Sequence, residues 1–265
     1  MEIIGYVLAV GIGISLGLIG GGGSILAVPV LAYLFGLDEK VATAYSLFIV
    51  GAAAFVGGLR QSKNKNVDWR TAVVFGVPAL AGVWLVRHYV VPTLPDVLFA
   101  VDGFEFTRRM GMFGLFSVLM VLAAWSMLSS KERRGGTGDV TFNYPLILVE
   151  GLIVGGVTGF VGAGGGFLII PALVILANLE IKKAIGTSLM IIAFKSLVGF
   201  FLGDALTTSV DWTFLLQFTG LAIVGIFGGV YLGNFIDGKK LKKGFGYFII
   251  LMAGFIFTME FLLHS

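Results

Sequence analysis

Apolar residues fall along this chain in blocks separated by short polar stretches. Hydrophobic stretches occupy 3–19, 41–59, 71–91, 111–129, 145–161, 184–203, 213–233 and 245–263, with two shorter ones at 25–36 and 167–178. The long blocks approach the ~20 residues a helix needs to cross a hydrocarbon core. The pattern therefore predicts helices of membrane-spanning length. A run of four glycines, Gly20 to Gly23, follows the first block, and Gly162, Ala163, Gly164, Gly165 and Gly166 follow the block at 145–161. Glycine inside a helix costs about 1 kcal/mol relative to alanine, so each run predicts a break with the helix restarting after it. Ser24 is a natural N-cap for the first restart. Pro29 and Pro171, which have no N–H to donate, support a break or kink beyond each run.

The same pattern occurs twice. Shifted by 142 residues, GLIGGGGSILAVPVL (17–31) lies over GFVGAGGGFLIIPAL (159–173), with seven of the 15 pairs identical. The same shift matches Lys40 with Lys182, Ser46 with Ser188 and Gly57 with Gly199, and one inserted residue then places Asp68-Trp69 over Asp211-Trp212. Matching leucines alone could reflect composition, but a glycine cluster, a proline and a distant Ser-Leu pair in register indicate an internal duplication. The expected organisation is a first membrane repeat at 1–130, a linker at 131–144 and a second repeat at 145–265. The stretch KERRGGTGDVTFN (131–143) is polar and glycine-rich, as a linker should be.

Charge sets the expected orientation. The loop 60–70 carries Arg60, Lys63, Lys65 and Arg70, whereas its counterpart 204–211 carries Asp204 and Asp211 and no base. Equivalent loops thus face opposite sides, and the repeats are expected to be inverted. Of the 18 Lys and Arg, 13 lie in 60–70, 131–134, 182–183 and 239–243, and four (Lys40, Arg87, Arg108, Arg109) lie on the other side. The positive-inside rule then places both termini outside and the linker in the cytoplasm. Inversion needs an odd number of crossings per repeat, so each glycine-broken segment should enter and return. The expected fold is an all-α polytopic membrane protein of two inverted-topology repeats, each a short or re-entrant helix pair plus three transmembrane helices.

Composition agrees: 57% of the 265 residues are hydrophobic, 12% are charged, and the mean hydropathy is +1.00. Soluble domains carry roughly 25% charged residues. A pI near 9.1 reflects basic loops rather than a nucleic-acid surface. The start, Met1-Glu2 followed by apolar residues, lacks the basic region and cleavage site of a secretory signal, so the first segment is expected to stay in the mature protein. The chain has no cysteine and two histidines, His88 and His264, near predicted span ends. No HExxH motif and no Lys-Ser/Thr ending to the glycine run argue against a metalloprotease or a P-loop, and no enzyme is expected.

Broken helices at corresponding places in two repeats point to a transporter's binding site. A restarting helix offers unpaired N–H groups at the positive end of its dipole, and glycine lets a ligand approach that backbone. The candidate substrate-binding set is Gly20, Gly21, Gly22, Gly23, Ser24, Gly162, Ala163, Gly164, Gly165 and Gly166, with the hydroxyls of Thr43, Tyr45, Ser46, Thr187 and Ser188. Lys195 joins them as a counter-charge, being the one base well inside a span, where its first-repeat equivalent is Ala53. The competing reading is close packing through small residues, which suits spaced pairs such as Gly13/Gly17 better than consecutive runs. The hydroxyls can equally bond a neighbouring helix, and Trp69 and Trp212 read as interfacial anchors.

These motifs, with TAYSL and GTSL downstream, resemble the TauE/SafE family over nearly the whole chain. The resemblance implies a permease or exporter moving sulfite, an organosulfonate such as sulfoacetate, or another small organic anion across a bacterial cell membrane. A transporter with an alternating-access cycle is expected; an anion channel and a cation-coupled amino-acid carrier are the competing readings. No cofactor is expected, and coupling to a proton or sodium gradient stays open. The expected partners are a small anionic substrate and the lipid bilayer, with no nucleic acid and with homo-oligomerisation left open.

Overall fold

Aspartates cap the starts of four helices among the described residues. In the computed structural model, which describes residues 2–101, 104–129, 144–161, 166–175, 179–206 and 209–263, Asp38 accepts a hydrogen bond from Lys40 N at the start of α3 (Glu39–Lys63). Asp68 accepts from Thr71 N at α4 (Trp69–Leu85), Asp211 from Thr213 N and Phe214 N at α9 (Trp212–Phe235), and Asp237 from Lys239 N at α10 (Gly238–Thr258). An N-cap aspartate satisfies donors that the first helical turn leaves unpaired. The remaining helices are α1 (Glu2–Ile19), α2 (Gly22–Pro29), α5 (Arg108–Ser129), α6 (Tyr144–Val161), α7 (Gly166–Ile175) and α8 (Ile181–Leu202). Residues 130–143, most of the expected linker, lie outside the described residues.

Among the described residues, six helices are long and apolar enough to cross a membrane: α3, α4 with its continuation to Thr93, α5, α8 with the turn to Leu206, α9, and α10 with its continuation to Phe261. Their outward faces carry large apolar side chains, such as Trp125 at 69% exposure and Leu251 at 68%. In water such a surface would be an aggregation hazard; in lipid it is the contact surface. The chain is a multi-pass membrane protein.

Close contacts give the helix directions. α3 and α8 pack antiparallel at the centre: Gly51 meets Leu197, Gly57 meets Leu189 and Gly58 meets Met190, with Phe48 beside Phe200. This register sets Ala53 level with Lys195. α1 and α9 run parallel, with Gly13 against Ala222 and Gly17 against Ile226 and Val230. α4 and α6 also run parallel, with Gly151 against Phe75, Gly155 against Ala79 and Gly159 against Val83. At these positions a Cβ would strike the neighbouring backbone. Small residues bring membrane helices into such contact, because apolar side chains gain little over lipid. α5 and α10 pack antiparallel, Gly114 beside Phe261 and Gly246 beside Leu128.

The helix α1 and its successor form a hairpin that returns to its starting level. Gly5 lies against Phe35, and Gly23 lies against Ile12 and Leu16. After Pro29 the backbone widens into a π-helical turn, Val30–Leu34, in which Phe35 N reaches Val30 O. The hairpin closes with Leu37 N donating to Leu31 O, and Leu179 N donates to Leu173 O at the matching place in the second half.

The molecule has two chemically distinct ends. One carries the starts of α4, α8 and α10 and the end of α3, hence Arg60, Lys63, Lys65, Lys182, Lys183 and the lysines of 239–243; here Gly186 meets Asn66 and Gly238 meets Ile181. The opposite end is held by ion pairs: Arg87–Asp204 at 2.9 Å, Arg108–Glu39 at 2.6 Å, Arg108–Asp96 at 2.9 Å and Arg109–Glu260 at 3.0 Å. Tyr33 also donates to Glu260, at 3.0 Å. At this end the segment between the apolar blocks 71–91 and 111–129 contains an antiparallel hairpin, β1 (Val97–Val101) with β2 (Phe104–Thr107), a small departure from the expected all-α fold.

Candidate functional site

The site is built around the tip of the α1–α2 hairpin. Gly20 N donates to Leu16 O at 2.7 Å and ends α1, and Gly20 takes φ +71, a left-handed conformation that glycine accepts without strain. Gly21, at φ −144, is the N-cap, with no side-chain bond to the helix start, and α2 begins at Gly22. The expectation that Ser24 caps the helix is corrected: Ser24 is the third residue of α2. Because the chain reverses at Gly20, the helix restarts two residues before the serine can serve as a cap.

This tip presses on the second half. Gly20 packs against Ile185 and Ser188 of α8, and Ser188 Oγ donates to Ile185 O (2.8 Å) and Gly20 O (3.3 Å). Gly166, the first residue of α7, is so close that a Cβ there would sit 2.5 Å from Gly21 Cα, 2.6 Å from Ile192 Cδ1 and 3.1 Å from Gly20 O. The starts of α2 and α7 therefore meet, and neither has an acidic residue in its first turn. Each start carries roughly half a positive charge, so the electrostatics at this junction favour an anion. Gly162, Ala163, Gly164 and Gly165 lie outside the described residues, as does the Ser24 side chain.

Lys195 lies two helical turns from Ser188 along the same face of α8, with Ile192 between them. It is 1% exposed, and its Nζ donates to Thr158 Oγ1 of α6 at 2.8 Å. Thr158 Oγ1 in turn donates a hydrogen bond to Gly155 O at 3.1 Å. No carboxylate among the described residues pairs with this ammonium. Thr158 was not singled out by the sequence; a lone threonine in a run of small residues gives no signal until its partner is known.

Of the selected hydroxyls, Ser188 lies at the junction, and Tyr45 and Thr187 serve elsewhere. Tyr45 OH accepts from Asp211 N at 2.6 Å, and Thr187 Oγ1 accepts from Asp68 N at 2.9 Å. Positions 45 and 187 correspond between the halves, as do 68 and 211, so each half ties down the other's loop by the same bond. Thr43 Oγ1 donates to Lys40 O and Ser46 Oγ to Thr43 O within their own helix. Ser46 and Ser188 lie seven residues from the Ala53/Lys195 level in opposite directions, about 10 Å each way at 1.5 Å per residue. Of the sequence-selected residues, the structure brings together Gly20, Gly21, Gly166 and Ser188, with Gly22 and Gly23 on the tip and Lys195 nearby. Between the tip and the lysine-rich end lies a small notch of mixed lining, with Gln61, Asn66, Lys182 and Asn234 beside Leu18, Ile185 and Leu241.

Comparison with known proteins bears on this arrangement. A protein of Xylella fastidiosa (strain 9a5c), named a probable membrane transporter protein, is 31% identical over 255 residues, covering 92% of this chain and 90% of its own. The probable membrane transporter protein YunE of Bacillus subtilis (strain 168) is 27% identical over 265 residues, covering 90% of each. A probable membrane transporter protein of Haemophilus influenzae is 26% identical over 262 residues, covering 91% of this chain and 92% of its own. No solved structure matches. The family model described as sulfite exporter TauE/SafE matches residues 6–256. On that match, and on the glycine-broken hairpin and helix architecture, the chain is a membrane transporter protein that belongs to the TauE/SafE family.

Proposed function

We propose that this protein carries a small sulfur-containing anion, sulfite or an organosulfonate such as sulfoacetate, across the bacterial cell membrane by alternating access. The observation that carries the reading is the meeting of two helix starts, neither with an acidic residue in its first turn, at Gly21 and Gly166. Two positive dipole ends and the Lys195 ammonium repel one another, and an oxyanion between them would relieve that repulsion. The backbone N–H groups of the two starts would hold the oxygens, with Lys195 as counter-charge. No enzyme activity, cofactor or nucleic acid enters this scheme; the substrate is the anion and the bilayer is the solvent.

The two halves, 1–130 and 145–265, are in this reading inverted repeats joined by a cytoplasmic linker at 131–144. Antiparallel packing of the equivalent helices α3 and α8, the parallel pairs α1–α9 and α4–α6, and the reciprocal Tyr45–Asp211 and Thr187–Asp68 bonds support it. The lysine-rich end then faces the cytoplasm, with both chain termini outside. Rocking of the halves about the α3–α8 contact would expose the junction to each side in turn.

In proteoliposomes loaded with unlabelled sulfite, uptake of radiolabelled sulfite should saturate and be accelerated by the internal anion, as a carrier requires. Uptake that shows no acceleration, with unitary current steps in a planar bilayer, would establish a channel instead.

A further inference from the structure

A second buried cation, Arg87, sits one turn beyond Val83 in the π-helical turn Val86–Val90 that continues α4. It is 4% exposed. Its Nη1 donates to both carboxylate oxygens of Asp204, each at 2.9 Å, in the turn that follows α8. Its Nε and Nη2 are buried and bond nothing among the described residues. The guanidinium is planar and permanently charged, so with Nη1 committed to Asp204 the Nε–Nη2 edge faces away from it. That edge is a rigid two-donor fork matched to two oxygens of one oxyanion. Buried donors of this kind are expensive to leave unmade.

Its surroundings connect it to the junction already described. Val83, one turn before it, lies against Gly159 of α6 and Gly199 of α8, and the Arg87 Cβ is 3.5 Å from where a Gly203 Cβ would be. Lys195 and Gly199, four apart on α8, share one face, and Gly203 follows at its C-cap. The two cations thus stand at opposite ends of a glycine-lined face between α4, α6 and α8, about 12 Å apart along the helix axis. Neither follows from the repeat: the equivalent of Lys195 is Ala53, and the equivalent of Arg87, by the offset that pairs Asp68 with Asp211, is Val230. Both departures from symmetry add a buried positive charge to the same face.

We propose that Arg87 is a further anion-binding residue. Its Nε–Nη2 edge takes two oxygens of a sulfite, sulfonate or carboxylate group on the ion-paired side of Lys195, and Asp204 fixes the plane of the guanidinium. The proposal rests on the anion-transport reading above. Its structural competitor is an ion pair that only pins α4 to α8.

The test is isothermal titration of sulfite and of sulfoacetate into the purified wild type, the double variant Arg87→Met/Asp204→Leu, and Arg87→Lys, with thermal unfolding of each. Replacing both partners of a buried pair by apolar residues is often neutral or stabilising, so the double variant should melt at or above the wild-type temperature. It should bind both anions about ten- to hundredfold more weakly, and Arg87→Lys, which keeps the charge but loses the fork, should show the same loss. If the double variant does not fold, Arg87→Lys decides by the same criterion. Wild-type affinity in the folded variants would overturn the proposal and leave the transport reading intact. A wild type that binds neither anion would overturn both.

Discussion

Gly20→Val should destabilise the purified protein by about 3 kcal/mol or more and abolish transport. Two costs add. A β-branched residue is a strained outlier at the φ of +71 that Gly20 adopts, worth about 1–3 kcal/mol. The new Cβ would also sit 2.6 Å from Ser188 Oγ and 3.0 Å from Ile185 Cα, forcing the tip away from α8 at a further cost of about 1–3 kcal/mol. Gly36→Ala is the matched control. Gly36 also has positive φ, +65, but nothing lies within 4 Å of its Cβ position, so only the backbone cost of about 1 kcal/mol applies. Thermal unfolding in one detergent compares them. Equal losses for the two variants would show that the tip is not clamped against α8, and the account of the junction would fail.

The other large effect separates stability from function. Lys195→Met should raise the unfolding free energy, by about 1–3 kcal/mol, while abolishing sulfite uptake. An ammonium at 1% exposure, bonded to a threonine hydroxyl and with no carboxylate partner among the described residues, is costly in an apolar surrounding, and methionine fills nearly the same volume without the charge. Thr158 is not orphaned by the change, since its hydroxyl still donates to Gly155 O. A buried lysine retained against its own cost calls for a function, and the counter-charge role supplies one. A variant that is less stable than wild type, or one that still transports at the wild-type rate, would remove Lys195 from the site.

How far the sequence led depends on the kind of signal. The helices, their lengths and the break after α1 followed from apolar block length and from the glycine run, because both are local; that the first broken segment enters and returns came instead from the parity of crossings that inversion demands. The 142-residue offset also pairs Leu37–Leu31 with Leu179–Leu173, and Tyr45 with Thr187, in matching bonds. The hairpin at 97–107 was missed although VLFAV and FEFT flank an Asp-Gly pair, a strong hairpin signal that the membrane-segment reading overlooked. Ser24 was assigned the cap because serine has the right chemistry; which residue caps depends on where the chain turns, and that is set by the φ of Gly20.

Side-chain partnerships were the least legible part. Thr43, Tyr45, Ser46, Thr187 and Ser188 look alike in a one-dimensional pattern, yet Tyr45 and Thr187 hold loops of the other half while Ser188 touches the tip. Arg87 was counted with the loop charges although it ends a stretch, WRTAVVFGVPALAGVWLVR, that is otherwise apolar after its first turn. Its burial and its pairing with Asp204, 117 residues away, depend on the α4–α8 contact, which no local pattern encodes.

The central claim is that a sulfur oxyanion binds where the starts of α2 and α7 meet, and ligand-dependent thermal stabilisation tests it most directly. A ligand that binds the folded state raises the unfolding temperature in proportion to the logarithm of its concentration above Kd. The wild type should be stabilised saturably by sulfite or sulfoacetate and not by equal concentrations of chloride. Gly166→Ala, which places a methyl group 2.5 Å from Gly21 Cα and so spreads the two helix starts, should unfold cooperatively yet lose that stabilisation. A wild type indifferent to every sulfur anion, or a Gly166→Ala protein stabilised as strongly as the wild type, would contradict the account.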